Sequence, residues 1–442
     1  MNRRDFLKNT VRTGAVFAGI PYLVPGSALG KDGTTPASER IVMGCIGVGG
    51  QGTYNLKAFL GAAEDVWYAA NKPQLAASAV QVVAVSDVDA KHAQDAVRLV
   101  NQQYNNHDCA AYNDFRDLLA RDDIDAVTVC TPDHWHALIT IAAARARKDI
   151  YCEKPLANTV AEGRAVCQAV ERYGCVLQTG SHERSNHSVR FACELVRNGR
   201  IGKVHTVRVN LPVEHSVIPP QPTMPVPKGF DYDMWLGSTQ QVPYTQKRCH
   251  GTFRYIMDYS GGEMTDRGAH ILDLAQLGLG TDATGPVEIY AQGEQPRNSL
   301  FDTFVKFRFE CLYPGPVRLI GESKPPRGIR FEGTDGWIFI YIHGGRLEAN
   351  PESLLKDPIR PDEIHLERTP GHHQNFLECV RTRRQPFAPA ETGHRTASIC
   401  HLVNIALLTG QKLAWNPLIE RFTNSDLANR LLSRPMRSPW RL

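Results

Sequence analysis

The chain has 442 residues, 42% of them hydrophobic and 22% charged. That balance excludes a disordered, collagen-like or low-complexity chain. The length predicts two or three domains with a core that needs no disulfide staples. Of the formal net charge of +4, residues 1–30 supply +3, from Arg3, Arg4, Lys8 and Arg12 against Asp5. The remainder is nearly neutral, so the charge argues for no nucleic-acid partner.

Residues 1–30 read as an export signal. A basic opening is followed by a short apolar stretch, Gly14 to Val24, and by small residues at Ala28 and Gly30. The pair Arg3-Arg4 before Phe6-Leu7-Lys8 resembles a twin-arginine signal. The apolar part is far below the ~18 residues that span a bilayer, so no stable membrane insertion is expected. The expected location is periplasmic or otherwise exported, with the twin-arginine machinery as a partner. The eleven cysteines show no Cys-x-x-Cys or zinc spacing. Cys45, Cys130, Cys152 and Cys193 sit among apolar residues and read as small buried hydrophobes. A chain exported already folded would carry them across buried.

After a linker at 31–38, an apolar run ending at Ile46 leads into Gly47-Val48-Gly49-Gly50-Gln51-Gly52 and a helical pattern. Gly47, Gly49 and Gly52 fit the dinucleotide fingerprint G-x-G-x-x-G in its strand-to-helix context. Gly47 permits the turn, Gly49 lets the backbone approach a pyrophosphate, and Gly52 lets helix and strand pack. The next strand, Val80 to Ser86, ends in Asp87, whose carboxylate suits ribose hydroxyls and favours NAD over NADP. Asp87 lies 35 residues after Gly52, against the usual ~20, which implies an insertion around 62–79. The alternative for Asp87 is a helix N-cap.

Strands at Asp125 to Cys130 and Asp149 to Cys152 flank a helix at Asp133 to Arg145, which predicts a doubly wound parallel sheet. Thr131-Pro132-Asp133-His134-Trp135-His136 and Glu153-Lys154-Pro155 stand at carboxyl ends of those strands, where such sheets bind ligands. His134 and His136 have zinc-ligand chemistry, but nothing nearby completes a set, so no metal is expected. Strand-like runs follow at Val204–Leu211, Val287–Gln292, Thr303–Phe309, Val317–Gly321 and Trp337–Ile342. Helices are expected at Met264–Leu279 and His373–Thr382. This predicts a Rossmann α/β domain over 39–180 and an α+β domain over 181–442.

These motifs, with Gly261-Gly262-Glu263-Met264-Thr265-Asp266-Arg267-Gly268-Ala269-His270, resemble the Gfo/Idh/MocA oxidoreductase family from about residue 40 onward. The ending Arg434-Pro435-Met436-Arg437-Ser438-Pro439-Trp440 looks like a bacterial subgroup that is often exported. The resemblance implies an NAD-dependent sugar or cyclitol dehydrogenase. Its Rossmann sheet would be followed by a large, mostly antiparallel sheet whose open face forms a dimer or tetramer.

By the same resemblance, Gly47, Gly49, Gly50, Gln51, Gly52, Asp87, Thr131, Pro132, His134, His136, Glu153 and Lys154 would hold the cofactor. His270 would be the general acid/base, Lys154 would stabilise the reacting oxygen, and Asp266 would bind a neighbouring hydroxyl or tune His270. The spacing from 266 to 270 places both on one helix face. Asp266 as an N-cap and Lys154 as a surface lysine are the bland alternatives. Arg184, Trp235, Tyr244, Arg254, Asp258 and Tyr259 are the residue types that bind a polyol. The pair His372-His373 reads as a helix start.

Because free NAD is scarce outside the cytoplasm, the expected enzyme holds its cofactor tightly. Two alternatives remain. One is glycoside cleavage by transient oxidation, elimination and re-reduction. The exported hydrolases that do this carry Tyr-Pro-Thr-His-Gly where this chain has Met264 to Gly268. The other is a catalytically silent NAD- or sugar-binding protein.

Overall fold

A computed structural model describes residue 36 and residues 39–61, 79–214, 217–315, 317–369 and 371–442. The expected leader, the linker apart from Pro36, and the expected insertion apart from Ala79 lie outside the described residues. Ile41–Leu442 form one unit.

The first layer is a sheet of β1 (Ile41–Ile46), β2 (Val80–Ser86), β3 (Ala110–Tyr112), β4 (Ala126–Val129), β5 (Asp149–Cys152) and β6 (Leu177–Thr179). All pairs are parallel, in the order β3-β2-β1-β4-β5-β6. The order reverses between β1 and β4, which opens a crevice at their carboxyl ends. The helices of this half are α1 (Gly50–Phe59), α2 (Ala90–Tyr104), α3 (Phe115–Leu119), α4 (Asp133–Arg145) and α5 (Val160–Tyr173).

The first turn is set by close approach. Gly47 has φ +76°, and a Cβ there would lie 2.7 Å from the Thr131 amide nitrogen. A Cβ on Gly52 would lie 1.8 Å from the Gly47 carbonyl oxygen. Only hydrogen at these positions lets β1, α1 and the loop after β4 converge. Gly50 differs, since a Cβ there meets nothing within 4 Å.

The second half adds α6 (His187–Arg197), β7 (Val204–Asn210), α7 (Tyr232–Leu236), α8 (Arg267–Leu279), β8 (Glu288–Glu294), β9 (Lys306–Leu312), β10 (Arg318–Glu322), β11 (Gly328–Gly333), β12 (Trp337–Tyr341) and β13 (Leu347–Asn350). It closes with α9 (His372–Thr382), α10 (Ala390–Thr409), β14 (Leu413–Asn416), β15 (Arg421–Phe422) and α11 (Asp426–Arg430). Its nine strands run β13-β12-β11-β7-β10-β9-β8-β14-β15, antiparallel except for β7 with β10. One face buries Phe309, Leu319 and Phe331 against Leu274 of α8 and Leu402 of α10. The other face carries charged ladders such as Arg208 and Arg330 on Glu332, at 3.0 and 3.1 Å.

One expectation changes. The helix expected from Met264 starts at Arg267, after a 3-10 turn over Gly262–Met264. The 20-residue α10 is buried nearly all round, so its sequence carries no amphipathic stripe. The halves also share a core, with Phe376 and Leu377 of α9 packing with Phe59 and Tyr151 of the nucleotide layer.

The turn geometry separates two neighbouring glycines. Gly52→Ala is expected to abolish nucleotide binding and lower Tm sharply. Gly50→Ala should shift folding stability by no more than ~0.5 kcal/mol. Thermal melts of the two variants check this.

Candidate active site

Two cavities meet at one wall. Gln51, Glu153, Lys154, Gly251 and Arg254 line both. The first cavity runs along the crevice past Gly47, Gly49, Gly50, Asp87, Thr131, Pro132 and His136. The second, of about 1030 Å³, is bordered by Asp266, His270, His182 and His343.

The first cavity fits NAD. Helix α1 begins there with Gly49 as N-cap, no side-chain cap and no acidic residue in its first turn. Its leading amides therefore remain available to an anionic pyrophosphate. Asp87 ends β2. Its Oδ2 accepts the Val48 N–H at 2.8 Å and its Oδ1 accepts the Asp89 N–H at 2.9 Å. Each oxygen keeps a second lone pair for a ribose hydroxyl, and the charge opposes a 2′-phosphate. The α2 N-cap is Asp89, which accepts the Lys91 N–H, so the capping alternative for Asp87 does not apply.

Behind the shared wall, Glu153 Oε1 accepts from Gln51 at 3.2 Å and Asn55 at 2.9 Å. Burial resists its ionisation. Even so, His182, Lys154 and Asn55 hold the carboxyl well below the usual range.

His136 ties the loops after β4 and β5 together. Its ring nitrogens face the Pro155 carbonyl at 2.6 Å and the Thr131 carbonyl at 2.8 Å. Gly52 and His134, both expected to touch the cofactor, do not line the cavity. Gly52 serves close packing. His134 is buried with Nε2 2.9 Å from the Trp235 carbonyl, and burial lowers its pKa to about 4.

A roof from the second half covers this cavity, with Phe230, Met234, Trp235, His250, Phe253 and Arg254 on its wall. It is pinned at its base. The Ala90 N–H donates to the Gly229 carbonyl and the Asp231 N–H to the Val88 carbonyl, each at 2.8 Å.

Lys154 and Asp266 join the halves. Lys154 Nζ donates to Asp266 Oδ1 at 2.7 Å and to the Asp266 carbonyl at 3.3 Å. Asp266 stands at the N-cap position of α8, yet its side chain makes no capping bond. Burial opposes its charge, but Lys154 and Arg254 outweigh burial and hold the carboxyl far below the usual range. His270 lies one turn further along α8. It is buried, its Nδ1 has no hydrogen-bond partner, and its ring packs edge-on to His343 at 5.3 Å. Burial, then the Lys154 charge, then His343 push its pKa well below 6.5. A neutral imidazole beside an ammonium can take a proton from an oxygen that the ammonium stabilises.

The expected polyol residues divide. Arg254 lines both cavities, with Nε 3.3 Å from Asp266. Trp235 borders the nucleotide side only. Tyr244 and Tyr259 are buried in an aromatic cluster with Phe230 and Tyr232 and reach neither cavity. Asp258 also lines neither. Arg184 is a correction, because its guanidinium is buried between Asp273 at 2.7 Å and Asp282 at 2.6 Å.

Sequence reasoning missed His182, Arg267, Arg327 and His343, all on the second cavity. His343 sits in the turn between β12 and β13 at φ +59°. A histidine before Gly344-Gly345 in a tight turn was the available signal.

Removing the Lys154 charge should raise the His270 pKa, because the neighbouring cation disfavours the imidazolium. In Lys154→Met the His270 ring titration, assigned by NMR against His270→Gln, is expected to move to higher pH. An unchanged or lowered midpoint contradicts this arrangement.

Comparisons with known proteins agree with the geometry. Residues 41–181 match the family model of the Gfo/Idh/MocA oxidoreductase family, NAD-binding Rossmann fold. Residues 216–442, just over half of the chain, match that family's C-terminal alpha/beta domain. The uncharacterized oxidoreductase YrbE of Bacillus subtilis (strain 168) is 26% identical over 322 residues, 68% of this chain and 81% of that protein. The scyllo-inositol 2-dehydrogenase (NAD(+)) of the same strain is 27% identical over 277 residues, 60% of this chain and 70% of that one. The crystal structure of the WlbA dehydrogenase from Bordetella pertussis, in complex with NADH and UDP-GlcNAcA, superposes with a TM-score of 0.61. It is 16% identical, over 85% of this chain and 99% of that chain. The chain is an NAD-binding member of the Gfo/Idh/MocA oxidoreductase family.

Proposed function

We propose that this protein is an exported oxidoreductase that moves a hydride between a tightly held NAD and a secondary hydroxyl of a sugar or cyclitol. The observation that carries the reading is that Lys154 stands on the wall the two cavities share, with Asp266 and His270 beside it on the second cavity. NAD supplies the hydride acceptor. Oxidising the alcohol also removes a proton from oxygen. His270, neutral through burial and its cationic neighbour, receives that proton. Lys154 donates a hydrogen bond to the same oxygen and stabilises its developing charge. Asp266 orients Lys154 through their 2.7 Å contact. The relative that acts on scyllo-inositol supports the substrate class. The roof over the nucleotide cavity supports tight retention.

One observation favours a second reading, glycoside cleavage by transient oxidation and elimination. That route needs another base for a carbon-bound proton next to the new ketone. His343 faces the same cavity, and its Nδ1 lies 3.3 Å from the buried Glu183 carboxylate, which can support such a base.

Denaturing the purified mature protein is expected to release about one nucleotide per chain, and release of none overturns the retained-cofactor reading. A panel of sugars and cyclitols should then reduce the bound nicotinamide, read by its absorbance. Lys154→Ala and His270→Ala should slow that step by about 10²–10³-fold. Free sugar released from nitrophenyl glycosides with no net reduction would favour the second reading.

The leader proposal rests on Arg3 and Arg4. Replacing both with lysine should leave the protein inside the cell, as cell fractionation would show. Unimpeded export of that variant contradicts twin-arginine targeting.

A further inference from the structure

The roof and the nucleotide layer also meet at a cluster of side chains that hydride transfer does not use. Asp89 caps α2, and His92 lies three positions further along the same helix. His250 comes from the roof, in a 3-10 turn over His250–Tyr255. One ligand atom from each of these three lies within 4.8 Å of the others. Among the described residues, this is the one group of three or more His, Cys, Asp or Glu side chains that meets this condition.

The ion pairs in and beside this cluster are long. Asp89 uses Oδ1 to cap the helix at 2.9 Å, while its Oδ2 lies 3.7 Å from His250 Nε2. His92 Nδ1 lies 3.7 Å from Asp87 Oδ2. Both separations are beyond hydrogen-bond length. The two imidazoles pack edge-on, 5.2 Å between centroids. His250 also adopts a left-handed backbone, φ +55°, uncommon outside glycine. The backbone bonds around Gly229 and Asp231 hold the surrounding frame together.

We propose that Asp89, His92 and His250 form a binding site for zinc or a divalent transition metal of similar preference, at the seam between roof and nucleotide layer. Two imidazoles with one carboxylate favour such a metal over magnesium or calcium, which prefer all-oxygen sets. Ligand atoms on one tetrahedral zinc stand roughly 3.3 Å apart, from bonds of ~2.0–2.1 Å. The Asp89–His250 separation is close to that already. Three protein ligands leave a fourth position for water or another donor. His92 and His250 both line the nucleotide cavity, so that position borders it. The ion would tie His250 of the roof to α2.

The test is a zinc titration of the purified protein with its bound nucleotide, after chelator treatment. Calorimetry is expected to show one zinc per chain, and cobalt should give the visible absorption of a four-coordinate histidine site. His92→Asn and His250→Ala should each weaken zinc binding by at least ~10-fold, since each deletes one of three ligands. Zinc should raise the Tm of the parent protein and not of the variants. Asp89→Asn keeps a capping oxygen for the Lys91 N–H and should likewise lose zinc affinity with its fold intact. Absence of stoichiometric zinc overturns the proposal. Zinc binding that persists unchanged in all three variants also overturns it.

Discussion

The contact on which the candidate active site depends is the ion pair between Lys154 and Asp266. The residues are 112 positions apart, on opposite halves of the chain, and meet at 2.7 Å. Both are mostly withdrawn from water, so the pair bears a desolvation cost that one Coulombic contact does not reliably offset. The surroundings make up the difference. Arg254 reaches Asp266 from the roof and Arg267 from its own helix. One carboxylate therefore orients cations from three segments, and α8 is held with His270 toward the shared wall. Losing Asp266 removes the carboxylate that all three cations share, whereas losing Lys154 leaves Asp266 with Arg254 and Arg267.

The nucleotide half does not complete itself. Its sheet needs cover on both faces, as parallel sheets do. Part of that cover comes from α9. His373 of α9 stacks on Tyr151 and hydrogen-bonds Asn55 at 2.9 Å, and Asn55 in turn holds Glu153. The helix start expected at His372-His373 is thus also a brace behind the cofactor wall. The halves are joined by packing and hydrogen bonding as well as by the active-site ion pair.

Much of the nucleotide half was legible because its signals are local. A strand buried on both faces is a continuous apolar run, so Val80–Ser86 could be read from the chain alone. The glycine turn could be read because a missing Cβ is visible as a residue type. Short strands such as Leu177–Thr179 carry too few residues to show a period. Helix α10 escaped because burial all round removes the polar face that marks a helix in sequence. The Pro-rich stretch before α7 follows no period at all, although it leads into the roof.

The site residues divide along the same line. The dinucleotide turn, the acid after β2, and Lys154, Asp266 and His270 in recognisable contexts can be read from the chain alone. Those features depend on neighbours in the chain. Which cations and aromatics face the cavity depends on contacts between distant parts of the chain. Arg184 and Arg254 look alike as sequence, yet one is consumed by Asp273 and Asp282 while the other lines both cavities. Tyr259 offers a sugar-binding ring in principle, but it is fully buried behind Trp235. The physical reason is that burial and charge pairing are set by residues far apart in the chain, and periodicity does not report them.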